Sequence, residues 1–420
     1  MWSNFDCKNA DKTRDYLERS GSSPINLWLD TANALSPVDP VFQVIPHFVG
    51  RLKSLSITGI SDHLQSIAAH LTCPAPLLER LEIKCGTPFG SQNYPALTTA
   101  LFNGELSSLR KLHLQSVCTK LPWRNMVNLT SFTLSHTLPG NLSIIQLLDF
   151  FEGAPRLRDV KLNSATPTSS GQDRRLVSLS CLERMDIRGG SFSLLLDHLL
   201  IPAGAKLTEW VPSFGPTLED YLPRSLDNLR NIADFTKVHL GVYDHHKSIQ
   251  LSGPSGRLRI ICPDLYGYRA LGCVVRFDAS KAELLEVVST HRFTALPYQG
   301  LLHLQNLRVL VFSRCADPYY LVGKLHPNEG SSEAVVCPKL EELVFVLRTD
   351  TEEFDTERVI ETVAARASRG TKLRTIRIVG GQHRPSPGDL SKLRKHVPQV
   401  EYSSEVDVAS SDSDDSGEEY

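Results

Sequence analysis

The segment Leu78-Glu79-Arg80-Leu81-Glu82-Ile83 contains the pattern that decides the fold: a leucine, two variable residues, an apolar residue, one variable residue and a second apolar residue. The alternation of the last three positions predicts a short strand with one buried face. The leading leucine is expected to pack beneath the turn that comes before this strand. Because the pattern recurs along the chain, it defines a repeat rather than a single motif.

Nine copies of the pattern can be aligned. They begin at Leu52, Leu78, Leu109, Leu129, Leu157, Leu182, Leu307, Leu340 and Leu373. Successive starts are 26, 31, 20, 28 and 25 residues apart in the first group, and 33 and 33 residues apart in the last group. A strand with a connection of this length cannot bury its apolar face alone, so neighbouring copies must stack.

The connections between copies carry apolar residues at helical spacing. One such stretch runs over 144–151 and is closed by Gly153, and another runs over 194–200 and ends at Pro202. Strands that alternate with helices in stacked units predict an α/β fold. The expected architecture is a leucine-rich-repeat-like (ribonuclease-inhibitor-like) solenoid with an inner parallel sheet, outer helices and degenerate repeats.

The repeats are degenerate at one informative position. Many leucine-rich repeats carry Asn or Cys eight residues after the leading leucine, whereas among the nine copies only Cys315 conforms. We therefore expect no ladder of asparagine side chains that satisfies backbone carbonyls. The copies are expected to vary in length and tilt.

Domain boundaries follow from the repeat. We assign an N-terminal segment, the solenoid and a disordered acidic tail to residues 1–24, 25–400 and 401–420. The stretch 208–300 interrupts the repeats, and its β-like runs at 236–240 and 248–252 flank a turn. We expect hairpin-like insertions there that project from the solenoid.

Charge is distributed unevenly between the body and the tail. The tail holds eight acidic residues and no Lys or Arg, whereas the body holds 45 basic residues against 39 acidic ones. Such asymmetry is typical of a solvated tail attached to a folded body. Ser411 and Ser416 each precede an acidic residue by three positions, so both are candidate phosphorylation sites. A plain solubilising tail is the alternative.

Cysteine usage and the lack of targeting signals bear on the compartment. Nine cysteines in 420 residues are sparse for a disulfide scaffold, and no two have the C-x-x-C spacing of a metal site. The chain starts without a signal peptide and contains no run of about 18 apolar residues. We therefore expect a cytoplasmic or nuclear protein with reduced cysteines and no membrane association.

The sequence contains no motif that would support catalysis. A Gly-rich dinucleotide fingerprint, a phosphate-binding loop and a G-x-S-x-G elbow are all missing. His245 and His246 are adjacent and would point to opposite sides of an extended segment, which argues against a metal pair. We predict no enzyme, no catalytic residue, no metal and no cofactor, with a hydrolase as a remote third class of function.

A basic segment near the C-terminus raises the question of nucleic-acid binding. Its cations, which surround the single acid Asp389, are Lys372, Arg374, Arg377, Arg384, Lys392, Arg394 and Lys395. No aromatic residue interleaves with them, and the acidic tail follows directly. A solvated basic end is therefore favoured over a phosphate-binding patch, and we expect no nucleic-acid partner.

The polar strand positions offer a surface for recognition. Side chains at positions three, five and seven of the pattern face away from the core. In the middle repeats, this candidate partner-binding surface comprises Arg80, Glu82, Lys84, Lys111, His113, Gln115, Asp159, Lys161, Asn163, Arg184, Asp186 and Arg188. Mixed charge suits a protein partner more than a polyanion. An ordinary hydrophilic face is an equal alternative.

The last repeats place valines at the same outward positions. These residues are Val309, Val311, Val344, Val346 and Val379. If they are exposed, they form an apolar patch of the kind that marks an interaction site. The alternative, which we favour on sequence grounds, is that residues 313–336 fold over and cover them.

Several segments together carry a family resemblance. They are residues 1–6, 16–20, 23–27, 122–126, 147–151, 337–343 and 364–370, followed by the acidic end. They resemble the part that follows the F-box in F-box/leucine-rich-repeat proteins of mushroom-forming fungi, over nearly the whole chain. The resemblance implies that the repeats hold a substrate protein, while an upstream helical F-box binds the Skp-type adaptor of a cullin-RING ubiquitin ligase.

The chain begins where such an F-box would already have ended, so no adaptor-contacting residue can be assigned. We expect a monomeric recognition module, the substrate-binding arm of an SCF-type ubiquitin ligase receptor whose F-box is absent or lies upstream. The alternative is a stand-alone repeat scaffold with no ligase connection. The sequence does not identify the protein substrate.

Overall fold

Short parallel strands recur at the positions that the repeat predicts. The structure is a computed structural model, and it describes residues 4–6, 10–31, 45–86, 96–97, 101–119, 126–136, 142–164, 175–189, 193–211, 223–243, 246–263, 277–290, 299–327, 335–347, 354–380 and 385–404. The chain divides into a first unit, Met1–Ala233 with Pro254–Ile260, and a second unit, Asp234–Gly253 with Ile261–Tyr420. Both contain a mostly parallel sheet, which confirms the mixed α/β class.

The first unit is built on a parallel sheet whose strands pair in chain order. Its strands are β1 (Asn4–Asp6), β2 (Ile25–Asp30), β3 (Leu52–Gly59), β4 (Arg80–Cys85), β5 (Ala96–Leu97), β6 (Lys111–Gln115), β7 (Cys118–Thr119), β8 (Ser131–Ser135), β9 (Asp159–Asn163), β10 (Val177–Ser178), β11 (Arg184–Arg188), β12 (Leu199–Leu200) and β13 (Lys206–Trp210). The sheet joins β1, β2, β3, β4, β6, β8, β9, β11 and β13. The pairs β5–β7 and β10–β12 are separate.

Helices in the first unit are few and short. They are α1 (Ala10–Arg19), α2 (Ser61–His70), α3 (Ile144–Gly153) and α4 (Ser193–Leu196), together with 3₁₀ turns at Ile45–His47, Val49–Arg51, Leu101–Gly104, Leu226–Asn228 and Arg230–Ile232. The helix predicted over 144–151 is confirmed, and a capping box between Ser143 and Gln146 fixes its start. The helix predicted over 194–200 is too long, because Leu199 and Leu200 pair with β10 instead.

The second unit contains a hairpin and a parallel ladder. Its elements are β14 (Lys237–Val242), β15 (His246–Gly253), β16 (Gly256–Pro263, whose first residues count with the first unit), β17 (Leu284–Ser289), α5 (Gln299–Leu302), β18 (Val309–Ser313), α6 (Tyr319–Lys324), β19 (Glu342–Val346), α7 (Thr356–Ser368), β20 (Thr375–Val379), α8 (Pro387–Arg394) and β21 (Gln399–Ser403), with a 3₁₀ turn at Ala279–Lys281. The strands β14, β17, β18, β19, β20 and β21 are parallel neighbours in that order.

The prediction of outer helices is wrong for many connections. In the described residues, several strands are joined through 3₁₀ turns and two-residue strands rather than helices. The connection between β6 and β8, for example, is only 15 residues long (116–130), and it carries β7 and a turn before Leu129. Connections of this length leave little room for a helix of three turns.

The irregular stretch 208–300 contains the predicted hairpin, but the hairpin does not project. Strands β14 and β15 are antiparallel, with Leu240 opposite Ile249. The other edge of β14 pairs with β17 over its whole length. Val238 and Leu240 are buried and align with Leu285 and Val287, so burial of these side chains draws β14 into the sheet.

The predicted start of the tail also differs from the structure. Strand β21 runs to Ser403, three residues into the segment that we assigned to the tail. Val400 is buried in register with Ile376, and Tyr402 lies beside Ile378. These apolar contacts keep residues 401–403 in the sheet despite their acidic surroundings. The remaining tail, with Ser411 and Ser416, lies outside the described residues.

The buried rows of the first unit align as the repeat requires. In consecutive strands, one row is formed by Leu55, Leu81, Leu112, Phe132, Val160 and Met185, each at most 1% exposed. It continues to Leu27 on one side and Leu207 on the other. All nine leading leucines are buried as well. In seven of the nine repeats, from Leu78 to Leu182 and again at Leu307 and Leu340, the leading leucine donates its N–H to the carbonyl three residues earlier, which closes the predicted turn.

The ends of the strands are held by a residue that the sequence pattern did not reveal. Seven residues after the leading leucine, six repeats place a residue with positive φ: Ser116, His136, Ser164, Gly189, Arg314 and Gly380. The N–H of each donates to the last carbonyl of the next strand, as from Ser116 to Ser135 at 2.8 Å. These backbone hydrogen bonds satisfy carbonyls at the strand ends without a ladder of asparagine side chains. Where Cys315 conforms, its thiol donates to the carbonyl of Val287 at 3.1 Å.

A buried arginine joins helix α7 to the backbone that precedes it in the second unit. Arg366 of α7 is fully buried, and burial lowers the pKa of its guanidinium against the opposing effect of the Cys337 thiol. Nη1 donates to the carbonyls of Val336 and Leu325 at 2.8 and 3.4 Å, and Nη2 donates to that of Cys337 at 2.8 Å. A single side chain thus satisfies backbone carbonyls from two preceding segments.

We expect Arg366→Met to lower the free energy of unfolding by about 3 kcal/mol, because methionine fills the space but leaves those carbonyls without a donor. Chemical denaturation of the full chain measures this loss. Arg358→Met on the exposed side of the same helix is the matched control and should stay close to wild type. Equal losses in both variants would contradict the role assigned to Arg366.

A buried carboxylate interrupts the second apolar row of the first unit. After Leu134, Leu162 and Ile187, the position in register is Glu209, which is 1% exposed. Neither carboxylate oxygen has a hydrogen-bond partner among the described residues. Burial raises the pKa of Glu209 from 4.5 to about 8. The side chain is therefore neutral in the folded protein at neutral pH.

This raised pKa predicts that stability falls as pH rises. The stabilisation is complete below the unfolded pKa near 4.5 and is lost as pH rises from there through the folded pKa of about 8. The total loss is on the order of 5 kcal/mol. Thermal unfolding from pH 4.5 to 8.5 measures the effect. Glu209→Leu should flatten this part of the pH dependence, whereas the exposed control Glu183→Gln should leave it intact. An unchanged slope in Glu209→Leu would contradict the assignment.

Candidate recognition surface

The outward side of the first unit's sheet carries three rows of polar side chains in register. All twelve predicted surface residues lie in these rows. They are Arg80, Lys111, Asp159 and Arg184 in the first row, Glu82, His113, Lys161 and Asp186 in the second, and Lys84, Gln115, Asn163 and Arg188 in the third. Eleven are half-buried or exposed, and Glu82 is buried. The sheet therefore brings the predicted residues onto one side.

Strand β8 divides this surface into two halves. Its outward residues are Ser131, Thr133 and Ser135, which carry hydroxyl groups and no charge. The strands β4 and β6 lie on one side of it, and the strands β9 and β11 lie on the other. The predicted residues thus form two charged groups separated by a neutral strip that the prediction had left out.

The first charged group is organised around the carboxylate of Glu82. Lys84 Nζ lies 2.6 Å from Oε1, and Arg80 Nη2 lies 3.1 Å from Oε2. His113 Nδ1 approaches Oε1 at 3.3 Å, and the hydroxyl of Ser56 donates to Oε2 at 3.4 Å. Four side chains from three strands therefore hold one carboxylate, which explains why Glu82 is buried on an otherwise open face.

The protonation of this group follows from competing effects. Burial alone would raise the pKa of Glu82, but the hydrogen bond from Lys84 and the charges of Lys84, His113 and Arg80 outweigh it and lower that pKa. Burial and the charge of Lys84 lower the pKa of His113 despite the attraction of Glu82. At neutral pH, Glu82 is charged and His113 is neutral, so their contact is a hydrogen bond rather than an ion pair.

The second charged group consists of two ion pairs, one between β9 and β11 and one within β11. Arg184 Nε lies 2.8 Å from Asp159 Oδ1, and Arg188 Nη2 lies 3.0 Å from Asp186 Oδ2. The Arg188 guanidinium also lies 5.0 Å from the centre of the Trp210 ring, which adds a cation–π contact. Both arginines thus have a charged or aromatic neighbour within the sheet.

Two tryptophans on the outward side of this sheet, Trp28 and Trp210, were not among the predicted surface residues. Trp28 is 55% exposed and lies in the second outward row, next to Ser56 and two strands from Glu82. Trp210 lies beside Arg188 in the third row. The alternation in Ile25-Asn26-Leu27-Trp28-Leu29-Asp30 already places Trp28 outward, but no copy of the repeat begins before Leu52, so this strand was not counted.

Across the described ranges, no group of three or more His, Cys, Asp or Glu residues is placed to hold a metal ion. His246 stacks on Tyr243 at 4.6 Å, while His245 lies outside the described residues. In the second unit, burial raises the pKa of the Cys337 thiol to about 12, although the charge of Arg366 acts in the opposite direction. The thiol therefore stays protonated.

The basic segment near the C-terminus is partly neutralised by folded acids. Arg377 Nε lies 3.2 Å from Glu342 and 3.1 Å from Glu401. Arg374 lies 3.8 Å from Glu341, and Lys392 lies 3.3 Å from Asp389. These contacts divide the cations among separate partners, and Arg384 is outside the described residues.

Over the part of the chain that the structure covers, no helix has the length and apolarity needed to cross a bilayer.

No protein-family model matches the sequence, and a search of curated proteins finds no significant match.

The contact between Glu82 and His113 can be tested directly. Because the charge and hydrogen bond of Glu82 raise the pKa of His113, we expect Glu82→Gln to lower that pKa further. Titration of histidine ring resonances by NMR in the full chain measures the change. Glu79→Gln, in the same repeat and paired with Lys53, should leave the His113 titration unchanged. An upward shift in Glu82→Gln would contradict the described geometry.

Proposed function

We propose that the chain is a non-enzymatic recognition module, a leucine-rich-repeat-like solenoid that binds a protein on the outward side of its first unit. The observation that carries the proposal is the register of the parallel strands from β2 to β13, which places their polar side chains in three continuous rows. Stacked repeats create extended binding surfaces of this kind. A partner can contact many strands at once.

The composition of these rows favours a folded protein or peptide partner. Both signs of charge occur in these rows, and the acids Glu82, Asp159 and Asp186 are each paired with a cation. This mixture suits recognition by complementary charges more than binding of a polyanion. Trp28 is exposed, and Trp210 is stacked on Arg188. Tryptophan and arginine are the residues that most often dominate protein interfaces. We expect Trp28, Trp210 and Arg188 to contribute most to binding. The uncharged hydroxyl side chains of β8 lie between them.

We further propose that the bound protein is presented to a ubiquitin ligase through an F-box encoded upstream. The support for this step is the sequence resemblance to F-box/leucine-rich-repeat proteins. A repeat scaffold without ligase connection would use the same surface, so only the adaptor experiment separates the two functions.

The surface itself can be tested by proximity labelling in cells with the full chain. The double variant Lys111→Glu/Lys161→Glu reverses two exposed charges on the two halves of the surface. For proteins that the wild-type chain labels, we expect the labelling yield with this variant to fall by about tenfold. The control Arg14→Glu/Arg230→Glu reverses two exposed charges away from the sheet and should retain them. Identical protein sets in all three would overturn the proposed surface.

The ligase connection needs a separate experiment. The present chain should not retain the Skp-type adaptor on co-purification, whereas a chain extended upstream should retain it. An extended chain should also increase ubiquitination of the proteins that depend on Lys111 and Lys161. If the extended chain fails to bind the adaptor while the surface proteins are still captured, the scaffold function is the correct one.

A further inference from the structure

Positive charge exceeds negative charge in the first charged group. The outward residues of β4 and β6 are Arg80, Glu82, Lys84, Lys111, His113 and Gln115. Since His113 is neutral at neutral pH, three cations stand against one carboxylate, and the group carries a net charge of +2. At the starts of the two strands, Glu79 and Arg110 add one charge of each sign, which leaves this excess unchanged.

The strands on either side of the group carry no outward charge. Strand β3 places Ser54, Ser56 and Thr58 beside β4. Strand β8 places Ser131, Thr133 and Ser135 beside β6. The next charged outward residues lie two strands away, and they are Asp30 on β2 and, on β9, Lys161 and Asp159, which is paired with Arg184. The adjacent strands therefore do not neutralise the excess positive charge.

The cations of this group remain accessible to a partner. Arg80 reaches Glu82 through Nη2, yet 56% of its side chain is exposed, and the side chain of Lys84 is 35% exposed. Lys111 is exposed, and within the described ranges it takes part in no ion pair. Arginine and lysine each carry several N–H donors, so contact with one carboxylate does not use them all.

The spacing of the cations suits an extended peptide. Arg80 and Lys111 are in register on neighbouring strands, roughly 4.8 Å apart across the sheet. Lys84 lies four residues further along β4, which corresponds to about 13 Å. In an extended peptide, side chains on one face recur at intervals of about 7 Å. Carboxylates four residues apart in a partner therefore reach both ends of the group.

We propose that the first charged group binds a short acidic segment of the partner protein, whose carboxylates contact Arg80, Lys84 and Lys111, and that protonation of His113 tightens this binding at lower pH. Charge complementarity selects the acidic partner. The flanking serine and threonine hydroxyls supply further donors to carboxylate oxygens. Glu82 holds Arg80 and Lys84 in position and also repels a continuous polyanion.

The pH dependence follows from the groups that face His113. On β4 these are Glu82, Lys84 and Arg80, while β8 contributes only the uncharged Thr133. Burial and the charges of Lys84 and Arg80 lower the pKa of His113, and Glu82 opposes them. A bound carboxylate adds a second negative charge and raises this pKa. By linkage, the affinity for the acidic segment rises as pH falls.

This inference rests on the proposed function, because it names the partner chemistry for one half of the same surface. The two can still be distinguished. If acidic peptides fail to bind while labelling in cells still depends on Lys111 and Lys161, the surface is correct and the acidic partner is wrong. If labelling is the same in all variants, the proposed surface itself is wrong.

The test uses the full chain and a fluorescent peptide in which Glu alternates with Ser, with binding followed by anisotropy. We expect saturable binding that weakens with added salt. A peptide with Gln in place of Glu should bind much more weakly. Lys111→Glu should weaken the Glu peptide by about fivefold. The control Arg14→Glu reverses an exposed charge on helix α1 and should leave the affinity unchanged.

The role of His113 is measured by repeating the titration at pH 7.5 and pH 5.5, where the glutamates of the peptide stay mostly ionised because their ordinary pKa is about 4.3. We expect the affinity of the wild-type chain to rise about threefold at the lower pH. His113→Gln should keep the affinity at pH 7.5 and lose this increase. Circular dichroism verifies that each variant is folded.

Several results would overturn the proposal. They are an absence of saturation, equal affinity for the Gln peptide, and insensitivity to Lys111→Glu. Tighter binding of an oligothymidylate that Lys111→Glu abolishes would replace the acidic segment with a nucleic acid. An increase at pH 5.5 that persists in His113→Gln would contradict the role of His113.

Discussion

Backbone hydrogen bonds between consecutive repeats hold most of the repeat strands that the structure describes at both of their ends. Before the strand, one carbonyl accepts two N–H groups from the next repeat, as Glu79 does from Arg110 and Lys111. After the strand, a residue with positive φ donates to the next repeat, as Ser164 does to Arg188. Parallel strands expose these groups at every step, and leaving them unpaired would cost free energy. The rows of side chains follow from this register.

The sequence predicted what depends on apolar periodicity and missed what depends on backbone conformation. The row from Leu55 to Met185 could be predicted, because the burial of one strand face imposes a period of two. The positive-φ residues could not be predicted, since Ser116, His136 and Arg314 share no side-chain property. The helices were predicted too generously, because apolar residues in a short connection fit a buried strand such as β12 as well as a helix.

The candidate surface shows the same division. Its twelve residues could be placed from the pattern, because outward positions follow from inward ones. The contacts of Glu82 with Ser56 and His113, and the contact of Arg188 with Trp210, join residues that are 22 to 31 positions apart in sequence. Pattern reasoning assigns a side of the sheet but not a partner within it. Trp28 was missed for a simpler reason, because its strand lacks the leading leucine of the repeat.

The anchoring of these strands at both ends also makes the register of the sheet independent of the length of its connections. Successive repeats in the first unit begin 20 to 31 residues apart, yet their strands stay in register. Since both ends of a strand are tied to the next repeat, residues can be inserted or deleted between them without displacing the outward rows.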